Sequence, residues 1–104
     1  MNAYAVMIRW VNSTPNPMTI DRALSPVGNW FRFNAHTWFV QASGPKIVHS
    51  ALRPSLSTCD SILIVRIDPN EIDGWAPAEA WNWLRSRQNP LLNALPRDGN
   101  AMLP

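Results

Sequence analysis

The sequence predicts an α+β plait of the order strand, helix, strand, strand, helix, strand, with one further helix appended. Three observations lead there. Runs rich in β-branched and aromatic residues recur at 3–11, within 29–43 and at 59–68. Between them lie two short stretches whose apolar residues follow helical spacing. In NWFRFNAHTWFVQAS, residues 29–43, the apolar alternation changes phase near Ala35, which one regular strand cannot do.

Each element has its own warrant. AYAVMIRWV, residues 3–11, carries no breaker and predicts the first strand; Pro15 and Pro17, lacking the N–H a ladder needs, close it off. Thr19 is positioned to cap a short helix through Ser25, with Ile20, Ala23 and Leu24 on one face. Pro26 and Gly28 end it after less than two turns, too short to stand without tertiary support. Phe31 and Phe33 then form an odd-numbered apolar set with Arg32 and Asn34 opposite, whereas Trp38, Val40 and Ala42 are even. A tight hairpin and a β-bulge both satisfy that change; two strands are the favoured reading.

Ser43 opens the next helix, with Pro45 in its first turn. Ile47, Val48, Ala51 and Leu52 are its predicted buried face, and Pro54 should stop it near Arg53. CDSILIVRID, residues 59–68, is apolar on both faces from Ile62 to Val65, as in a central strand covered on each side. Asp68-Pro69-Asn70 is a turn. Pro77 and Glu79 suit the first turn of the appended helix, on which Ala80, Trp83 and Leu84 share a face through Arg87. Prolines, Gly99 and Asn100 break every period from residue 88 onward, so 88–104 is expected to be a flexible tail and 1–87 one domain.

The first six elements make a split βαβ–βαβ arrangement, the ferredoxin-like plait. Composition agrees with one folded domain: of 104 residues 46% are hydrophobic and 15% charged, enough apolar matter for a core. The net charge of +2 permits a nucleic-acid partner without requiring one. Cys59, the only cysteine, excludes an internal disulfide and suits a reducing, cytoplasmic setting. Its neighbours Thr58 and Asp60 offer nothing to stabilise a thiolate. The apolar run Ala5–Ile8 stops at Arg9, too short for a signal or a membrane span.

Thr37-Trp38-Phe39-Val40 after an aromatic pair, Asp60-Ser61-Ile62-Leu63 after GPKIVHSALRPSL, and the later Trp83-Leu84 carry a family resemblance. Over residues 3–87 the chain resembles the small SinR-like bacterial proteins allied to the second core protein of CRISPR adaptation, and the VapD-like toxins of similar build. That resemblance implies the ferredoxin-like fold, pairing as homodimers through the sheets, and RNA or DNA as partner. Some such proteins are metal-dependent nucleases that use an Asp just after the first strand. Here Arg9-Trp10-Val11-Asn12 follows that strand, and the first carboxylate is Asp21. Asn12 offers only a neutral carbonyl where a hard divalent cation wants anionic oxygen.

Candidate residues follow. His36, Asp60 and Asp68 are the nominees for a residual nuclease, which alone would call for Mg²⁺; no other metal or small-molecule cofactor is expected. Asp68, Glu71 and Asp73 crowd one loop with Asn70, but without the spacing of a calcium loop, and read as a solvated turn. His49 belongs on the outer side of its helix. Arg9 with Trp10, Arg32 between two Phe, and Trp81 four residues before Arg85 could stack bases and neutralise phosphates. The competing account puts the rings in the core or a subunit interface. The sequence is thus read as a non-catalytic, cytoplasmic, dimeric protein for which RNA or DNA is a candidate partner. The alternatives are the nuclease and a protein-interaction module in which Trp75, Trp81 and Trp83 grip a partner chain.

Overall fold

A computed structural model describes residues 1–88. Met1–Arg66 form one compact unit, and a second begins at Ile67. The elements are β1 (Asn2–Arg9), α1 (Pro17–Leu24), β2 (Trp30–Asn34), β3 (Thr37–Ala42), α2 (Pro45–Leu52), β4 (Ser61–Ile67) and α3 (Ala78–Gln88). The protein is therefore α+β, with one four-stranded antiparallel sheet in the order β2-β3-β1-β4. Among the described residues no helix is long and apolar enough to cross a membrane. The tail expected at 88–104 lies, apart from Gln88, outside the described residues.

α1 starts at Pro17 because Asn16, rather than Thr19, caps it: the Met18 N–H donates to Asn16 Oδ1 at 3.0 Å. α2 ends at Leu52 and tightens into a 3₁₀ turn, Arg53–Ser55, around Pro54. Ile20 and Leu24 of α1 and Val48 and Leu52 of α2 are fully buried on one sheet face, against Tyr4, Val6, Ile8, Trp38, Val40 and Ala42. Each such side chain contributes about 1.5–3 kcal/mol by leaving water. Ile47, counted in the buried face by spacing, is half exposed.

The hairpin explains the change of phase in the sequence. β2 and β3 are joined at Ala35-His36, and the Asn34 side chain accepts the His36 N–H at 2.8 Å to shape the turn. A bulge also lies between Arg32 and Asn34, so Phe33 is an extra residue. A two-residue turn would pair odd positions with even ones, and the extra residue cancels this. Phe31 faces Phe39, Trp30 faces Val40 and Arg32 faces Trp38. The apolar set Phe31 and Phe33 therefore lies on the face away from the helices, while Trp30 and Arg32 share the core face with Trp38.

On that core face sits the buried carboxylate of Asp21. The Trp38 indole N–H donates to Asp21 Oδ1 at 2.8 Å, and Arg32 lies 3.7 Å from Oδ2. Ser25 Oγ donates to the Asp21 carbonyl at 2.9 Å and accepts the Trp30 indole N–H at 3.0 Å. These bonds tie α1 to both strands of the hairpin. Gly28, between α1 and β2, lies so close to the Gln41 carbonyl that a Cβ there would collide with backbone.

β4 corrects an expectation. Its apolar run suggested a central strand covered on both faces, yet it is an edge strand. Ile62 and Ile64 pack against the core, whereas Leu63 is 59% exposed and Val65 43%. In the second unit, Asp68 Oδ1 accepts the Asn70 N–H at 2.9 Å and starts a 3₁₀ turn, Pro69–Glu71. Among the described side chains of α3 the buried ones are Ala80, Trp81 and Leu84, so Trp81 and not Trp83 occupies the buried face.

These contacts predict the stability of three variants. Trp38→Phe leaves Asp21 buried without its strongest donor and should cost about 2–4 kcal/mol in urea unfolding. Arg32→Ala, at a partly exposed pair, should cost under about 1 kcal/mol; equal losses would refute the assigned roles. Gly28→Ala should lower stability by about 1–3 kcal/mol, and an unchanged melting temperature would show that the backbones are not in contact.

Candidate functional site

The C-terminal end of β1 gathers several of the nominated residues. The Ile8 N–H donates to the His36 carbonyl at 2.8 Å, and the Trp10 indole N–H donates to the Ala35 carbonyl at 3.2 Å. The Val11 N–H donates to Asp60 Oδ1 at 3.0 Å. The hairpin turn and the residue before β4 thus both meet the chain as it leaves β1. His36 and Asp60 flank that end, whereas Asp68 follows the opposite end of β4 in the second unit.

The chemistry of these groups is already engaged. Asp60 Oδ2 accepts the Ser57 N–H at 2.9 Å, so both carboxylate oxygens hold backbone donors. The Ser57 N–H foremost, and the Val11 N–H after it, keep the carboxyl below its ordinary value of 3.8. Asp68 is occupied with its own turn. His36 is exposed, its backbone N–H held by the Asn34 side chain and its carbonyl by the Ile8 N–H. Among the described residues, no three His, Cys, Asp or Glu lie close enough together to hold a metal ion.

The residues nominated for nucleic acid divide between the two units. Arg9 is exposed on the sheet face away from the helices, as its alternation with Ile8 requires. Trp10 is half-buried and fastened to the hairpin turn. Arg32 points to the core side, toward Asp21. In the second unit Trp81 is buried, and its indole N–H has no acceptor among the described residues. The Arg85 guanidinium stands 6.0 Å from the centre of the Trp81 ring.

The outer face of the sheet carries an aromatic cluster that sequence reasoning did not assemble. Phe31 and Phe39 stack with ring centres 6.2 Å apart, and Phe33 meets Phe39 at 5.5 Å. Strand alternation sets Met7, Leu63 and Val65 on the same face, and these three and Phe33 are all exposed. The signal was present in the apolar residues at both parities of β4, which read as a doubly covered strand. Free Cys59 is exposed near Asp60.

Acid should expose the work done by Asp60. Its folded carboxyl titrates below the unfolded value, so its stabilisation is complete above about pH 4 and is lost as pH falls through the folded value. The unfolding midpoint of the native chain should exceed that of Asp60→Asn at neutral pH and converge with it in acid. A gap that stayed constant across the acid range would contradict this assignment. No known protein family matches the chain, nor does any curated protein or solved structure.

Proposed function

We propose that the chain is a non-catalytic, ferredoxin-like, cytoplasmic protein that acts as a homodimer joined through the outer faces of its sheets. The observation that carries this reading is the apolar outer face: Met7, Phe33, Leu63 and Val65 are exposed together around the Phe31–Phe39 stack. Contiguous apolar surface of this kind marks an interaction site. A two-fold pairing would match the patch with its own copy, aromatic rings against branched aliphatic ones. The strand order β2-β3-β1-β4, with α1 and α2 on one face, supports the ferredoxin-like plait. It also supports the kinship with SinR-like and CRISPR-adaptation proteins and the pairing that kinship implies. The non-catalytic reading rests on Asp60, whose two oxygens are committed to backbone N–H groups.

A second reading uses the same surface for single-stranded RNA or DNA. Phe31, Phe33 and Phe39 form a ring cluster on adjacent strands, Phe33 exposed and the other two half-buried, with Arg9 on the same face. Bases stack on such platforms and phosphates seek such cations.

Light scattering on the purified chain separates the readings. The native protein should be a dimer from low salt to about 1 M salt, since apolar contacts are little screened. Leu63→Glu should yield a monomer with an unchanged far-ultraviolet spectrum. A native monomer at every concentration up to the solubility limit would end the dimer proposal. Binding of an oligonucleotide that weakens steeply with salt and is lost in Phe39→Ala would favour the second reading.

A further inference from the structure

We propose that the edge of β4 and the groove beside it form a docking site for an extended segment of a partner protein carrying an apolar residue and a carboxylate. This site is separate from the outer sheet face and does not depend on the pairing proposed above.

The two edges of the sheet differ. β2 is five residues long and is interrupted by the bulge at Phe33, a device that discourages further strands from adding. β4 is seven residues, SILIVRI, with no proline, glycine or lysine. It stands last in the sheet order, so one side of its backbone carries N–H and C=O groups with no strand partner among the described residues. Edges of this kind accept an incoming strand, whose main chain supplies affinity while alternate side chains supply specificity.

Beside that edge, on the helix side of the sheet, runs a groove of about 220 Å³ lined by Pro45, Lys46, His49, Ile62 and Ile64. Ile62 and Ile64 are the core-facing residues of β4 and present a half-buried apolar floor. Lys46 and His49 lie one turn apart on α2, both exposed, and among the described residues no acidic one lines the groove. An added strand would direct every second side chain toward α2. One apolar side chain would rest on the isoleucine floor, and a carboxylate two positions along would meet the lysine ammonium and a histidine N–H. The same helix–strand cleft thus selects by charge as well as by apolarity.

The test uses the full chain, isotopically labelled, and two synthetic peptides. The first is acetyl-Ser-Leu-Ser-Glu-Ser-amide; the second has Lys in place of Glu. The acidic peptide should shift the backbone amide resonances of Ser61–Ile67 and Lys46–Ser50, slow amide exchange along β4, and bind at least about ten-fold more tightly than the lysine peptide. Combining Lys46→Glu with His49→Glu, both at exposed positions, should reverse that preference. Four results would overturn the proposal: no shift along β4 with either peptide, equal binding of both, an unreversed preference in the double variant, or shifts confined to Phe31, Phe39 and Leu63. A short oligothymidylate that perturbs Lys46 and His49 while the acidic peptide does not would assign the groove to phosphate instead.

Discussion

The carboxylate of Asp21 is the constraint around which the first unit is arranged. A charge in an apolar interior is tolerated only where donors replace its water. Here the Trp38 indole and the Arg32 guanidinium do so, and both come from the hairpin that α1 covers. Satisfying Asp21 therefore fixes which face of β3 meets the helices, and with it the placement of Val40 and Ala42. Arg32 adds a weaker, partly exposed partner from the core side, where the bulge at Phe33 puts it. Helix position, strand register and bulge are one solution to one desolvation problem.

This coupling accounts for what could be read from the sequence. The order of elements, the reversal at Ala35-His36 and the stop at Pro54 were legible, because each rests on local chemistry: breakers, turn formers and alternation. The facing of Phe31 and Phe33 was not, because turn and bulge each shift the phase and together cancel. Parity along a sequence reveals that something interrupts a strand, but not how many interruptions there are. β4 failed for a related reason. Ile62–Val65 is apolar on both faces whether the second face is covered by the same chain or left bare.

The site residues follow the same division. Asp60 was singled out as a possible catalytic carboxylate within the strand run 59–68; it stands just before β4, and its partners Val11 and Ser57 are backbone groups that no spacing rule nominates. Trp10 and Trp81 had two readings, core or interface ahead of base stacking, since an indole suits both. The groove formed by Lys46, His49, Ile62 and Ile64 joins residues from a helix and an edge strand, so only the packed topology brings it together.

The position of β1 has a consequence for how the protein is made. Synthesised first, β1 ends up inside the sheet, between two strands that are made long after it. Until β3 leaves the ribosome, Tyr4, Val6 and Ile8 belong to a segment with both sides of its backbone unpaired, and the second side waits longer still for β4. An apolar, unpaired strand is thus held open while the hairpin and β4 are still being made, the kind of delay that non-local strand pairing imposes on folding.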